Sequence, residues 1–274
     1  MPYLSLSDGT RVFYKDWGQG PTVVLCHGWP LNSDMWEYQM MFLAENGCRV
    51  VAMDRRGCGR SDQPWQGYDY DRFAQDLSEL IDALDLDRIT LVGFSMGGGE
   101  VARYAGKHGT SRLARIALLG AVTPRLGWAD TYPTGLPREV CDGVRAGIME
   151  DRAEFFRGLG RIFYGADREG AAISDGLLAQ YHQMAMSCSL KSSHDCVGAF
   201  SETDFRDDLG AFNVPTLLIH GDDDSLVPIE VTSRLALDYV PHARLVIYEG
   251  AAHGFIFTHK DRLNNDLLQF VEER

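Results

Sequence analysis

The sequence predicts an α/β protein with a mostly parallel, doubly wound sheet of eight strands. Short apolar strands alternate with helical patterns over residues 22–119, and the alternation resumes near residue 214. Such alternation is typical of a parallel sheet with helices on both faces, because parallel strands need crossover connections. Residues 124–206 contain no apolar strand and read as several short helices rich in aromatic and methionine side chains. We therefore predict a core of residues 1–123 and 207–274 with residues 124–206 inserted as a helical cap.

Hydrophobic spacing and turn residues predict the individual elements. The Asp8-Gly9 pair is a strong hairpin signal between two short strands within residues 2–17. Compact apolar runs predict the other strands, at residues 22–26, 49–53, 89–94, 113–119, 214–220 and 245–248. Apolar residues at helical spacing predict the core helices, at residues 34–45 with Ser33 as the cap, 70–84, 98–108, 229–239 and from about 259.

Composition and charge exclude several kinds of partner. The 274 residues are 45% hydrophobic and 24% charged, which is ordinary for a globular protein with a full core. The formal net charge of −13 disfavours nucleic acids and anionic membranes, because both bind basic surfaces. No window approaches the roughly 18 apolar residues of a membrane span, and the first residues do not resemble a secretory signal. We expect neither nucleic-acid nor membrane partners.

The cysteines lie far apart in the sequence and form no Cys-x-x-Cys pair. They occur in apparent strands, loops and helices, at Cys26, Cys48, Cys58, Cys141, Cys188 and Cys196. Scattered cysteines of this kind are typical of buried free thiols in a reducing compartment. We therefore expect free thiols and a cytoplasmic location.

The stretch 89–99 contains the pattern on which the functional prediction depends. An apolar strand runs directly into Gly93-Phe94-Ser95-Met96-Gly97, and a helical pattern follows. In Gly-x-Ser-x-Gly, the serine lies on a sharp turn between strand and helix, and a Cβ at either glycine would collide with neighbouring backbone. The short pattern is common by chance, so its interpretation depends on partners elsewhere in the chain.

A serine nucleophile needs a histidine base, which in a doubly wound sheet lies beyond the carboxyl end of a strand. The chain order serine, acid, histidine leaves His242, His253 and His259 as candidates. His242 lies before a predicted strand, at its wrong end, and His259 falls in the first turn of the last helix. His253 directly follows the strand 245–248 among small residues, so we predict that it is the base.

The acid that orients the histidine should follow the strand 214–220. Asp222, Asp223 and Asp224 are all available there, and the local pattern leaves the choice among them open. A solvated acidic loop and a cation site are the alternatives for this run. The triplet lacks the spaced ligands of a calcium loop, so we expect no metal.

Two backbone N–H groups should stabilise the oxyanion that forms during acyl transfer. One is expected from the residue after the nucleophile, Met96, and the other from the loop after the third strand. His27-Gly28-Trp29-Pro30 occupies that loop, and Trp29 supplies an N–H whereas Pro30 has none. An ordinary tight turn is the alternative reading of the tetrapeptide.

Four motifs occur together in one order, at residues 27–30, 54–61, 93–99 and 250–255. With them, the chain resembles the α/β-hydrolases, and more narrowly their bacterial branch of cofactor-free haloperoxidases, perhydrolases and arylesterases. The resemblance spans essentially the whole chain, and residues 34–40, 61–65 and 202–206 also match. It implies an α/β-hydrolase fold that needs no cofactor, and it suggests a homo-oligomer.

The resemblance also implies roles that the residues alone leave open. Residues 221–228 match the family pattern Gly-Asp-x-Asp-x-x-Val-Pro, whose second aspartate is the triad acid, so the acid would be Asp224. Proline at the position of Pro30 is associated with perhydrolysis, in which the carbonyl of Trp29 helps to accept hydrogen peroxide. A turn proline without catalytic effect is the alternative.

Some residues depart from the family pattern. Cys58 replaces the usual aromatic residue or histidine, and Leu126, Val144 and Leu159 stand where related arylesterases tend to have phenylalanines. These changes imply a wider and less aromatic pocket. The residues expected to line it are Trp29, Pro30, Phe94, Phe163, Phe200 and Leu226.

Together these observations predict a serine carboxylesterase that hydrolyses small aryl or alkyl esters through an acyl-enzyme. Its residues would be Ser95 as nucleophile, His253 as base and Asp224 as acid. Hydrogen peroxide in place of water would give a peracid, and hence haloperoxidase activity without a cofactor. A lactonase or γ-lactamase using the same triad is one alternative, and a non-catalytic ligand-binding relative is another.

Overall fold

The computed structural model describes residues 2–273 and contains one eight-stranded sheet. The strand order across the sheet is β1-β2-β4-β3-β5-β6-β7-β8. The β1–β2 and β2–β4 pairs are antiparallel and the other five pairs are parallel, which confirms the predicted fold class. The strands are β1 (Tyr3–Ser5), β2 (Arg11–Gly18), β3 (Thr22–Cys26), β4 (Arg49–Met53), β5 (Ile89–Phe94), β6 (Leu113–Leu119), β7 (Thr216–Gly221) and β8 (Arg244–Tyr248).

Helices cover both faces of the sheet. The first helices of the chain are α1 (Glu37–Glu45), α2 (Tyr70–Ala83) and α3 (Met96–His108). The last ones are α8 (Ser233–Ala236), α9 (Phe255–Thr258) and α10 (Lys260–Glu272). Helices α2, α3 and α8 share one hydrophobic cluster, whereas α1, α9 and α10 share a second one. The central strands β5 and β7 are buried along their whole length, because each lies between two such layers.

Four helices lie between β6 and β7, where the sequence predicts the helical insertion. They are α4 (Arg138–Tyr164), α5 (Asp175–Met186), α6 (Leu190–Glu202) and α7 (Arg206–Gly210). Helix α4 packs against both α5 and α6, and it is interrupted at Asp151, whose φ and ψ are −152° and 92°. Phe156 of α4 and Phe200 of α6 contact the ring of Trp29 at centroid distances of 5.6 and 5.2 Å. Helices α4 and α6 therefore cover the loop that follows β3.

Two local predictions need correction. Asn32, rather than Ser33, caps the segment after β3, because its side chain accepts a hydrogen bond from the N–H of Asp34 at 2.9 Å. That segment begins as a 3₁₀ turn before α1. The helix expected at residues 229–239 is only a 3₁₀ turn, Ile229–Val231, followed by the single turn α8.

The cysteine prediction is also wrong in part. Cys58 and Cys188 form a disulfide across a sequence separation of 130 residues, whereas Cys26, Cys48, Cys141 and Cys196 are free and buried. The disulfide joins the loop after β4 to the turn between α5 and α6. The cytoplasmic location therefore stays a prediction without the support of six free thiols. Within residues 2–273, every helix is too short or too polar to cross a membrane.

Candidate active site

Ser95 lies at the turn between β5 and α3, in a backbone conformation that residues other than glycine rarely adopt. Its φ and ψ are 54° and −120°, and such strained residues occur mostly at functional sites. A Cβ added to Gly93 would lie 2.3 Å from the carbonyl oxygen of Gly97, and one added to Gly97 would lie 2.2 Å from that of Cys26. The expected collisions with neighbouring backbone are therefore present, and the turn requires both glycines.

Three side chains from three different loops meet beyond the carboxyl ends of the strands. Ser95 follows β5, Asp224 follows β7 and His253 follows β8. The Oγ of Ser95 lies 2.9 Å from Nε2 of His253, and Nδ1 of His253 lies 2.5 Å from Oδ2 of Asp224. The side chains are buried, with residue exposures of 6%, 4% and 4% for Ser95, Asp224 and His253. The structure thus brings together all three residues predicted as the triad.

The carboxylate of Asp224 is fixed by the turn in which it lies. Its Oδ1 accepts hydrogen bonds from the N–H groups of Leu226 and Val227 at 3.0 and 2.8 Å. Burial would raise the pKa of Asp224, but the His253 charge and hydrogen bonds from His220 and His253 hold that pKa well below its ordinary value. Asp224 is therefore ionised at neutral pH, as a group that orients and stabilises a charged imidazole must be.

The other two aspartates of the run are engaged elsewhere. Oδ1 of Asp222 accepts the N–H of Gly250 at 2.6 Å, and Asp223 forms an ion pair with Arg168 at 2.9 Å. Both therefore stabilise the loops around the site, and Asp224 alone of the three is bonded to His253.

His220 is a functional-site neighbour that the sequence reasoning missed. Its Nε2 lies 2.8 Å from the carbonyl oxygen of Val227 and 3.3 Å from Oδ2 of Asp224, and its Nδ1 lies 2.7 Å from the hydroxyl of Ser233. A carbonyl can only accept, so Nε2 carries the proton and donates it to the carbonyl of Val227, with Oδ2 of Asp224 as a more distant second acceptor. The available signal was a histidine at the end of a fully apolar strand, four residues before the acid.

The two predicted oxyanion donors flank Ser95. Within the described part of the chain, neither the N–H of Trp29 nor that of Met96 has a hydrogen-bond acceptor. A Cβ added to Gly28 would lie only 3.2 Å from Cβ of Ser95, so the loop carrying Trp29 packs directly against the serine. Free N–H groups beside a serine hydroxyl can bind the negative oxygen of a tetrahedral intermediate.

A buried ion pair between Arg55 and Glu100 supports the loop that carries Trp29. Nε of Arg55 donates to Glu100 of α3 at 2.8 Å, and Nη2 of Arg55 donates to the carbonyl of His27 at 2.8 Å. His27 donates from Nδ1 to the carbonyl of Gly28 at 2.8 Å and accepts the N–H of Arg55 at 2.9 Å. Burial and the nearby Arg55 charge hold the pKa of His27 well below 6.5, so this imidazole is neutral.

An apolar cavity of about 240 Å³ opens at Ser95 and His253. Of the predicted pocket residues, Trp29, Phe163, Phe200 and Leu226 line it, and so do Leu126, Val144 and Leu159. The prediction missed seven further lining residues, namely Val122, Leu136, Val140, Cys141, Tyr181, Ser225 and Val227. An apolar lining with a few convergent polar groups is typical of a small-molecule site.

Two predicted pocket residues do not line this cavity. Phe94 is fully buried, and its ring centroid lies 4.8 Å from that of His253 and 6.0 Å from that of Phe163. It supports the imidazole from the side away from the cavity, because β5 turns its side chain into the core. Pro30 is buried behind Trp29, to which a cis peptide bond joins it, and its carbonyl oxygen lies 3.3 Å from Sγ of Cys188.

Over residues 2–273, no group of three or more histidine, cysteine, aspartate or glutamate side chains is arranged to hold an ion. The arrangement combines a serine hydroxyl bonded to an imidazole with an ionised carboxylate bonded to the other nitrogen of that imidazole.

Comparison with known proteins places the chain in a family. A family model described as alpha/beta hydrolase fold matches residues 21–140 and 189–260. A non-heme haloperoxidase from Rhodococcus erythropolis is 46% identical over 99% of this chain and 100% of its own length. A bifunctional esterase/perhydrolase from Acinetobacter calcoaceticus is 38% identical over 99% of each chain.

Solved structures agree with these matches. The crystal structure of bromoperoxidase from Bacillus anthracis superposes with a TM-score of 0.93 at 42% identity and covers 96% of each chain. The chain therefore belongs to the alpha/beta hydrolase fold family, in the branch that contains non-heme haloperoxidases and esterase/perhydrolases.

Proposed function

We propose that the protein is a serine carboxylesterase that cleaves small esters through an acyl-enzyme. The observation that carries the proposal is the pair of hydrogen bonds from Ser95 to His253 and from His253 to Asp224, at 2.9 and 2.5 Å. This chain of groups opens into an apolar cavity rather than into bulk water. The similarity to an esterase/perhydrolase over nearly the whole chain supports the same reaction class.

The first half-reaction acylates the serine. Nε2 of His253 takes the proton of the Ser95 hydroxyl while Oγ attacks the ester carbonyl carbon. The N–H groups of Trp29 and Met96 stabilise the oxyanion, and Asp224 stabilises the imidazolium. His253 then donates its proton to the leaving alkoxide, which departs as the alcohol and leaves an acyl-enzyme. Each amide donor contributes roughly 10² to 10³ in rate, the cost found when one such donor is lost.

The second half-reaction releases the acid. Water, deprotonated by His253, attacks the acyl carbon, and the Ser95 oxygen leaves with the proton that His253 returns. When hydrogen peroxide takes the place of water, the same steps release a peracid, RCO₃H. A peracid then oxidises halide in solution, giving the carboxylate, RCO₂⁻, and hypohalous acid. Haloperoxidase activity of this kind is a consequence of the esterase chemistry.

The cavity defines the substrate size and the role of the inserted helices. About 240 Å³ of apolar volume suits a small acyl or aryl group rather than a lipid chain or a peptide. Leu159 and Phe163 of α4 and Phe200 of α6 form much of its wall. We therefore include in the proposal that residues 124–206 act as a cap that excludes water and selects the substrate.

Substitution of the nucleophile tests the proposal. In Ser95→Ala, p-nitrophenyl acetate turnover should fall to the background set by water, and the acetylated enzyme that mass spectrometry detects in the parent should be absent. Ser111→Ala, a change of the same residue type at an exposed position, should keep the parent rate. Undiminished turnover in Ser95→Ala would refute the mechanism.

The role of peroxide is tested at Pro30. If the Trp29–Pro30 loop positions the carbonyl of Trp29 for peroxide, Pro30→Leu should lower the ratio of perhydrolysis to hydrolysis of one ester. Peracid formation, followed by monochlorodimedone bromination, and acid formation, followed by titration, give this ratio. An unchanged ratio would mean that Pro30 is an ordinary turn residue.

A further inference from the structure

A second cavity lies beside the proposed ester site. Its volume is about 450 Å³, and Leu136 and Cys141 line both cavities, so the two share a wall. Val140 in the first turn of α4 lines the apolar cavity and is 47% exposed, while Arg138 two residues earlier lines the second one. The mouths of the two cavities therefore adjoin at the start of α4.

The second cavity carries unneutralised positive charge on a protein whose net charge is −13. Three arginines line it together with Asp142 and Glu202. Arg145 binds both of these acids, with Asp142 at 2.9 Å and Glu202 closer still. Among residues 2–273, neither Arg125 nor Arg138 has a carboxylate within salt-bridge distance.

A further acid close to Arg125 is already paired. Asp204 accepts hydrogen bonds from Nε of Arg206 at 2.9 and 3.0 Å. The side-chain hydrogen bond from Arg206 is the main cause that lowers the pKa of Asp204, and the charge of Arg125 has a smaller effect on that pKa. Arg125 therefore keeps its charge available to a ligand.

Both free arginines are held in place by neutral groups. Nε of Arg125 donates to the carbonyl of Gly127 at 2.8 Å, and Arg125 also donates to the carbonyl of Glu202 at 2.5 Å. The guanidinium of Arg138 lies over the ring of Trp128 at 5.2 Å from its centroid. Arg138 is the first residue of α4, so the positive end of the helical segment that runs as far as the break at Asp151 faces the same region. Two guanidinium groups beside one cavity are well suited to bind a carboxylate.

We propose that the cavity at Arg125 and Arg138 binds a carboxylate that the ester substrate carries at the end remote from its scissile bond. The preferred substrates would then be half-esters of dicarboxylic acids. Their ester group reaches Ser95 through the apolar cavity, and their free carboxylate lies past Val140 against the two arginines. This inference rests on the proposed esterase function, and it adds a substrate class to it.

Matched substrates test the proposal. Mono-p-nitrophenyl esters of glutaric, adipic and suberic acids are compared with neutral p-nitrophenyl esters of the same acyl length. For the spacer that fits, the parent should have a higher kcat/KM for the charged ester than for its neutral partner. Arg125→Gln and Arg138→Gln should each lower the charged-to-neutral ratio about tenfold, the effect of losing one charge-assisted hydrogen bond, and Arg138→Lys should lower it less.

A control variant separates the site from general charge. Arg157→Gln removes the same charge from an exposed position of α4, where the ion-pair partner of Arg157 among residues 2–273 is Glu154 at 3.3 Å. It should leave the ratio unchanged. The proposal is overturned if the parent prefers no charged ester of any length, if the ratio survives in Arg125→Gln and Arg138→Gln, or if Arg157→Gln lowers it equally.

A binding measurement distinguishes failure of this proposal from failure of the esterase function. Adipate, with adipamide as its neutral control, is titrated calorimetrically into Ser95→Ala and into Ser95→Ala with Arg138→Gln. Adipate should bind the first protein and bind the second about tenfold more weakly, whereas adipamide should bind neither. If the parent fails to hydrolyse neutral esters, the esterase proposal fails, and this titration still decides whether the cavity holds a carboxylate. Equal binding of adipate to both proteins would overturn the carboxylate site.

Discussion

Asp224→Asn changes one atom at the centre of the site, and the surrounding groups determine how the new amide must lie. The N–H groups of Leu226 and Val227 donate to Oδ1 of Asp224 at 3.0 and 2.8 Å, so the amide oxygen takes that position. The amide nitrogen then replaces Oδ2, which lies 2.5 Å from Nδ1 of His253. His220 does not oppose this arrangement, because its Nε2–H still donates a hydrogen bond to the carbonyl of Val227 at 2.8 Å.

The consequence is a change of tautomer in the imidazole. An amide N–H facing Nδ1 of His253 makes that nitrogen an acceptor, so the ring proton moves to Nε2. Nε2 lies 2.9 Å from Oγ of Ser95 and can then no longer accept the serine proton. Wrong-tautomer substitutions of this kind cost roughly 10⁴ in kcat, which corresponds to about 5 kcal/mol of barrier.

The assay is the pre-steady-state and steady-state hydrolysis of p-nitrophenyl acetate from about pH 6 to pH 9. Asp224→Asn should slow acylation roughly 10⁴-fold while KM changes little, because the cavity is untouched. The matched controls Asp222→Asn and Asp223→Asn remove equal charge from the same run and should each keep most of the activity. A kcat within tenfold of the parent in Asp224→Asn, or an equal loss in Asp222→Asn, would refute the assignment of the acid.

Three further outcomes follow from the buried charges and the disulfide. Glu100→Gln strands the charge of Arg55 in the core and should lower the free energy of unfolding by roughly 3–5 kcal/mol; urea denaturation measures this, and a loss below about 1 kcal/mol would contradict it. The pKa of His27 lies well below its ordinary value of 6.5, so below pH 6.5 the unfolded chain binds a proton that the folded protein does not bind. The contribution of the neutral His27 to the free energy of unfolding is therefore complete above pH 6.5 and is lost as the pH falls below it. The slope should approach about 1.4 kcal/mol per pH unit and flatten in His27→Asn, as chemical denaturation at several pH values would show. Thiol titration of the denatured protein should give four thiols before reduction and six after it, because Cys58 and Cys188 are bonded; six before reduction would exclude the bond.

The sheet and the elbow could be predicted because their causes are local in sequence. A short, largely apolar run such as residues 89–94 is typical of a strand buried on both faces, and the Gly-x-Ser-x-Gly pattern that follows it marks a turn by itself. The order serine, acid, histidine along the chain and the position of His253 after a strand were then enough to predict His253 as the base. The family resemblance supplied Asp224, which the local pattern left open among three aspartates.

The rest depends on contacts between distant parts of the chain. What distinguishes Asp224 from its neighbours is the turn that aims two N–H groups at it, together with His220 on the strand before. Phe94 precedes Ser95 in sequence, yet its ring packs against the imidazole of His253 and does not line the cavity. The Cys58–Cys188 bond spans 130 residues and has no spacing signature, so free thiols were the natural expectation.

The disulfide also divides the chain into a closed ring, residues 58–188, and two open arms. Ser95 lies on the ring, Trp29 on the first arm, and Asp224 and His253 on the second. Strands β5 and β6 belong to the ring, so only the β3–β5 and β6–β7 pairings hold it to the arms within the sheet. A protease that cuts the exposed stretch 169–172 would open the ring without releasing a fragment. The nicked protein would migrate as one species until it is reduced, and Ser95 would stay covalently joined to both arms.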